Sequence, residues 1–495
     1  MRQTRRSLQI VMLSKKPCAD AARRAADIFS RSIFFPLCFI FGDLYKLVLF
    51  YMGLAYKDNL AYRLIYALGC AAFALFCGVA FLRILMDERP HAFQLLLPAS
   101  ALMYFALAFI LGFARGAAAD TAYELCLFVL RCLPVFFAGV TLAMRGGEDG
   151  FAEGFERLGF IALPGGIIYL VCALIDCNIF TDGVYLGLIN YMSLSYTLMP
   201  VMLCALMRFY DGGELRLPYP GARPLHRPQL WRVLMILVFW VDIIASGTRG
   251  AYLCCALCCI AVFLWRLISR RRVISGFILS AAMAAIIIFT VFVYAPPGMR
   301  GVKRIDIFLS GLQNGELTTT DTEDPTVSDR VDQALEGIIH GSGGGELEID
   351  PGVRISDRAT IYKLALAEFL RSPASVAFGI GPCVFRAKYG VYPHNIFLQM
   401  LCEVGISGTL PLLLLMILAV LGIFRAARTR RGMAEILLLL GAYFVRENIS
   451  NSIWQSVPLA AALGLGLTLF ALQRRRVTGR NSAESRISDA RKGDE

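Results

Sequence analysis

Histidine is scarce in this chain, with four in 495 residues, and charge is scarce too, with Asp, Glu, Lys and Arg together at 17%. So little charge beside 57% hydrophobic residues excludes an ordinary soluble domain. The short polar–apolar alternation of a membrane barrel is missing, which leaves helices as the way to bond the backbone internally in lipid. Long hydrophilic stretches are nearly absent: residues 296–393 form the one extended loop, and Cys383 is its lone cysteine. No disulfide framework can therefore hold that loop. A metal centre also lacks its ingredients. Cys254, Cys255, Cys258 and Cys259 in CCALCC have a ligand-like spacing, but no histidine is near and thiolates in a lipid-facing helix are costly.

What is abundant is apolar runs of about 20 residues, enough to cross a bilayer. Twelve are read: 33–54, 62–85, 92–114, 122–144, 157–176, 185–208, 229–246, 250–268, 273–295, 395–424, 434–450 and 454–472. The tenth contains Gly405, Gly408 and Pro411, which predicts a short surface helix followed by a crossing helix. Basic segments stay cytoplasmic. The N-terminal tail, the loops after the sixth, eighth and tenth spans (Arg216, Arg223, Arg227 and Arg232; RLISRRRV; FRAARTRRGM) and the C-terminal QRRRVTGR all fall on one side. That arrangement puts both termini in the cytoplasm and residues 296–393 outside. The net charge of +12 is explained as a topology signal, with no nucleic-acid partner. TRRSLQI is followed by too short an apolar stretch for an export signal and is read as a retained basic tail.

The expected organisation is a basic cytoplasmic tail (1–32), transmembrane helices one to nine (33–295), an extracytoplasmic loop (296–393), helices ten to twelve (394–472) and a second cytoplasmic tail (473–495). Within the loop, residues 313–350 carry ten carboxylates against one arginine and read as a flexible insertion. Residues 354–393 instead predict an ordered cap. RISDRATIYKLALAEFLRSP has Ser356 or Asp357 as N-cap, an apolar face of Ile361, Leu364, Ala365, Phe369 and Leu370, and a stop at Pro373. Arg354, Arg358, Lys363, Arg371, Arg386 and Lys388 make this cap basic and suited to an anionic group.

Four segments occur in order: SGTRGAYL (246–253), SDRATIY (356–362), SPASVAFGIGPCVF (372–385) and HNIFLQMLCEVGISG (394–408). Together with the loop between the ninth and tenth spans, they resemble the O-antigen ligase/polymerase family of integral-membrane glycosyltransferases, over roughly residues 230–425. The resemblance implies an all-α, GT-C-like polytopic protein of the cytoplasmic (inner) membrane. It also implies transfer of a glycan from a polyprenyl diphosphate to an acceptor outside the cytoplasm. The family's turn arginine corresponds to Arg249, its loop arginine to Arg358 and its histidine to His394. Here TRG stands where SRG is usual, and Tyr362 stands where the family often has Trp. A second SDR at 328–330 competes for the loop role, but Arg330 sits in the acidic insertion.

The residue types suit that chemistry. A departing diphosphate accumulates charge, which the permanently charged fork of arginine stabilises. An attacking hydroxyl must lose its proton, for which imidazole is the natural base near neutral pH. Direct attack inverts the anomeric carbon, and two arginines at one headgroup leave no role for a metal or other cofactor. His394 is the expected base, Arg249 and Arg358 the diphosphate ligands, and Asn395 a helix cap or acceptor contact. Tyr362, Arg300 and Arg304 are supporting candidates. Read without the family, Arg249 is a snorkelling anchor, Arg358 a solvated helix residue, and Arg300 and Arg304 headgroup anchors. Arg131 and Asp242, charged positions inside spans, are assigned to function or mutual pairing, with pairing put first, and Asp43 and Lys46 are expected to neutralise each other. The acceptor is a glycan, a lipid or a cell-wall polymer, and membrane lipids surround the protein. A transporter or flippase for lipid-linked sugars is the rival reading, but no inverted repeat supports it.

Overall fold

A computed structural model describes residues 21, 23–29, 31, 33–54, 60–174, 191–219, 222–245, 249–268, 273–288 and 358–473. Arg300, Arg304, Arg330, the 313–350 insertion, Ser356 and Asp357 lie outside the described residues, as do the tails before residue 21 and after 473.

Each of the twelve apolar runs contains a helix among its described residues. In chain order these helices are α1 (Phe34–Tyr51), α2 (Leu60–Glu88), α3 (Ala92–Ala114), α4 (Ala118–Arg145), α5 (Phe151–Leu174), α6 (Tyr191–Asp211), α7 (Pro228–Ala245), α8 (Arg249–Ile268) and α9 (Val273–Ile288). Three short cap helices follow: α10 (Arg358–Leu370), α11 (Pro373–Phe378) and α12 (Val384–Tyr389). The bundle then resumes with α13 (Ile396–Ala427), α14 (Arg431–Ser450) and α15 (Val457–Gln473). Among the described residues, six helices are long and apolar enough to cross a membrane: α1, α2, α3, α4, α5 and α13. Shorter apolar helices lie in α8 and at α15.

Burial explains the arrangement. Helix α15 and the middle of α6 are enclosed on almost every side, so their sequences are apolar all round. Helix α2 is peripheral, and Leu68, Leu75 and Leu82, seven residues apart, stand 61–69% exposed along one face. An apolar stripe of that kind is stable against lipid and not against water. Without a hydrophobic drive between helices in lipid, close contact of small residues substitutes for it. Gly422 of α13 meets Gly466 of α15 so closely that an added Cβ would lie 2.1 Å from the Gly466 carbonyl oxygen.

The two ends of the bundle differ in chemistry. At one end, Arg145 pairs with Glu88, Arg430 with Glu148 and Arg431 with Asp211. Arg232, read from the sequence as a loop cation, is fully buried there. Its guanidinium forks onto Glu156 at 2.6 and 3.2 Å and donates to the Gly213 and Glu214 carbonyls. An arginine in a basic loop and an arginine holding three helices together share one sequence signature. Mid-bundle, Lys46 holds one Asp43 oxygen at 3.0 Å, as expected, while Arg131 approaches the other at 3.4 Å and so pairs with Asp43 and not with Asp242. Asp242 departs from that expectation: it is buried beside Gly166 with neither carboxylate oxygen hydrogen-bonded.

The opposite end carries the cap. Helix α13 is broken at Gly405, whose φ of 62° and ψ of −170° are not helical. The break frees the carbonyls of Cys402 and Glu403, which accept hydrogen bonds from Ile380 N and Gly381 N at 2.9 and 3.0 Å. The FGIG and EVGISG segments are thus two halves of one backbone junction. Neither glycine at the crossing tolerates a side chain: a Cβ on Gly379 would lie 2.4 Å from the Glu403 backbone, and one on Gly405 2.4 Å from Gly379 N. Cys383 N donates to Glu403 Oε2, and Arg386 reaches Glu124 and Asp120 of α4. Substituting Gly405→Ala should therefore lower stability by roughly 1–3 kcal/mol or more, read as a fall in thermal midpoint in detergent. Gly78→Ala in α2, where the added carbon meets nothing within 4 Å, should leave the midpoint unchanged or raise it slightly. Equal shifts in the two variants would contradict the junction.

Candidate functional site

His394 sits between the cap and α13, and its position follows from local chemistry. Pro393 holds the preceding chain extended. Asn395 caps α13, its Oδ1 accepting from Phe397 N and Leu398 N at 3.0 Å each, while its Nδ2 donates to the Asn448 carbonyl at the end of α14. Of the two roles expected of Asn395, capping is the one present. Between a fixed proline and a fixed cap, His394 is left at φ 54°, a left-handed conformation uncommon outside glycine. Its ring lies against Tyr392, tilted by 49° with centroids 4.3 Å apart, and Nδ1 is buried without a hydrogen-bond partner.

Arg358 opens α10 and is exposed. Helix α10 packs against α13, whose first turn follows His394, so the Arg358 charge bears on the imidazole. Burial, reinforced by the Arg358 guanidinium, pushes His394 down to about 4. The same guanidinium acts on Tyr362, one turn along α10, and on Tyr392 and Tyr196. No ion pair engages Arg358 among the described residues.

Three of the cap cations expected to suit an anionic group are paired within the protein. Arg386 is neutralised by Glu124 and Asp120, and Arg371 and Lys388 by Glu368, which Tyr389 also contacts. These cations hold the cap together. Leu370, assigned to the apolar face of α10, is 36% exposed, while Ala367 and Glu368 are buried instead.

Arg249 is the first residue of α8, and its side chain lies outside the described residues. Five residues on, Cys254 is buried within the field of Arg446 in α14. The start of α8 therefore meets the end of α14, at the end of the bundle that holds His394. Arg446 escaped the sequence reading. It lies in FVREN, where an apolar run closes and a cation looks like a boundary anchor. Instead it turns inward, stacked over Tyr196 at 3.8 Å and Tyr443 at 5.6 Å.

Two cavities adjoin. A polar one of about 50 Å³ is lined by Asp43, Arg131, Tyr196, Arg446, Asn451 and Gln455. An apolar groove of about 390 Å³ runs between α13, α14 and α15 past Met416, Ile423, Leu440 and Phe444, and reaches Ile396 and Glu447 at the His394 end. Apolar depth beside cationic and titratable groups is the form of a site for an amphipathic anion.

Residues 234–413 match the family model described as O-Antigen ligase, a stretch that runs from α7 across the cap to the upper part of α13. Comparison with curated proteins returns no match.

A buried imidazole at about 4 is neutral at pH 7 and able to accept a proton, but weakly. The acid limb of kcat/KM, which reports the free protein, should consequently fall near pH 4 and not near the ordinary imidazole value of about 6.5. The limb of kcat should lie higher, because a bound anion offsets Arg358. Coincident limbs near pH 6.5 in the two profiles would contradict this electrostatic account.

Proposed function

We propose that this chain, whose residues 234–413 belong to the O-antigen ligase/polymerase family, transfers a glycan from a polyprenyl diphosphate to an acceptor hydroxyl during surface polysaccharide assembly. The reading places twelve crossings in the cytoplasmic membrane, both termini in the cytoplasm, and the cap with His394 on the outer face. What supports the reading is a neutral imidazole at His394, its Nδ1 buried without a hydrogen-bond partner, under the charge of Arg358.

In this mechanism, Arg358 and Arg249 grip the diphosphate, and the apolar groove beside Ile396 takes the first part of the polyprenyl chain. Arg300, Arg304 and Tyr362 assist at the headgroup. The acceptor oxygen attacks the anomeric carbon from the face opposite the diphosphate. As the new C–O bond forms, the old one breaks and its electron pair leaves on the diphosphate oxygen. The hydroxyl proton passes to a ring nitrogen of His394. One displacement inverts the anomeric centre, and no metal is required.

The weak free base then has a use. Binding a doubly charged headgroup beside Arg358 offsets the charge that depresses His394, so the base strengthens when the donor arrives. Such coupling discourages proton abstraction in the empty site. The contacts to diphosphate also strengthen as charge accumulates, which lowers the barrier more than it tightens binding.

His394→Ala should lower transfer from a polyprenyl-diphosphate donor by about 10²–10⁴-fold with the protein still inserted at normal abundance. Arg358→Ala should weaken both donor binding and turnover. Full activity in a purified His394→Ala, Arg358→Ala double variant would overturn the mechanism. Movement of lipid-linked donor across vesicles without product would instead support the transporter reading. Activity should also be undiminished in EDTA, and a strict divalent-ion requirement would contradict the metal-free step.

A further inference from the structure

Arg446 has no role in the mechanism above, yet its surroundings are those of a ligand-holding group. It lies near the end of α14, and its Nε is buried without a hydrogen-bond partner. The carboxylates around it are engaged elsewhere. Glu447 accepts from Asn451 Nδ2 at 2.9 and 2.7 Å. Asp43 is held by Lys46 at 3.0 Å and by Arg131 at 3.4 Å. No carboxylate among the described residues comes within ion-pair distance of Arg446, although Asp43 and Glu447 lie in its field; its closest described contacts are the rings of Tyr196 and Tyr443.

Leaving a guanidinium partly desolvated without a counter-charge is costly, and cation–π stacking recovers only part of that cost. What stacking does achieve is orientation. The face of the guanidinium is fixed on Tyr196 at 3.8 Å, which leaves its N–H edge to point elsewhere. Planar Arg edges match the paired oxygens of phosphate groups.

Arg446 lies at the His394 end of the bundle: Asn448, two residues on, takes the side-chain hydrogen bond of Asn395, and Tyr392, whose ring lies against His394, feels the charge of both Arg446 and Arg358. Arg446 also stands between the two cavities: it lines the polar one, while its neighbour Glu447 lines the apolar groove.

We infer that Arg446 is a further ligand of the donor diphosphate, holding the phosphate nearer the polyprenyl chain, while Arg358 faces the phosphate nearer the sugar. The inference rests on the proposed donor class and adds a residue that the sequence motifs do not contain. It gives the protein a way to distinguish diphosphate from monophosphate carriers, since two guanidinium groups reached from opposite elements, α10 and α14, can both be satisfied only by two linked phosphates.

The test uses the full-length purified protein, with farnesyl diphosphate and farnesyl phosphate as probes in a binding assay. Arg446→Gln should bind the diphosphate roughly ten- to hundredfold more weakly than the wild type. The same variant should bind the monophosphate with a smaller loss, so that the preference between the probes shrinks, which a merely structural role would not produce. Arg446→Lys keeps the charge but not the fork and should give an intermediate loss. It also answers the question should the Gln variant fail to fold. Wild-type affinity and wild-type preference in Arg446→Lys, or in a folded Arg446→Gln, would overturn the inference. Weakened binding in Arg358→Gln with Arg446→Gln unaffected would sink this inference and spare the proposed function. Unchanged binding in Arg358→Gln with loss in Arg446→Gln would do the reverse.

Discussion

Helix α13 cannot run straight and also carry the cap, and its break at Gly405 reconciles the two. Carbonyls that an unbroken helix would use internally are turned over to Ile380 and Gly381, and a buried backbone group must be bonded somewhere. The junction fixes the cap relative to the bundle through backbone atoms, which side-chain motion cannot loosen. Glu403, beside the break, adds bonds from Trp454 Nε1, Gln399 Nε2 and Cys383 N, so the cap, α13 and the turn before α15 are tied at one point. His394 precedes this assembly by only nine residues, and the rigidity of the junction is what places its ring.

Charge inside the bundle follows the same economy of placement. Most cations at the His394 end have structural partners: Arg386, Arg371 and Lys388 neutralise carboxylates within the cap and α4. Arg358 and Arg446 do not, and both act on Tyr392. Two guanidinium groups without a carboxylate partner among the described residues, acting on the same tyrosine, suit an anionic ligand. The left-handed His394, held between Pro393 and the capping Asn395, adds local strain at the same spot.

Much of this was legible in the sequence. Apolar length located the helices because a bilayer sets their size. Asn395 announced a cap by type and position, and Arg358 and His394 were named from ordered motifs. Three things were not legible, each for a physical reason. Gly405 could be seen as a weak point, but the hydrogen bonds it releases belong to residues 25 positions away. Arg232 and Arg446 each sit at the edge of an apolar run, where a snorkelling cation and an inward-facing one have the same local sequence. Asp242 was expected to pair, yet partner choice between helices depends on rotation about their axes, which a single sequence does not record.

The account turns on the electrostatic contact between Arg358 and His394, and a titration of the His394 ring measures it directly. Diethyl pyrocarbonate reactivity at His394, followed by mass spectrometry across pH in the ligand-free protein, should give a midpoint near 4. Arg358→Gln should raise that midpoint without restoring the ordinary value, because burial remains. A wild-type midpoint near 6.5, or one that does not move when Arg358 is neutralised, would contradict the account.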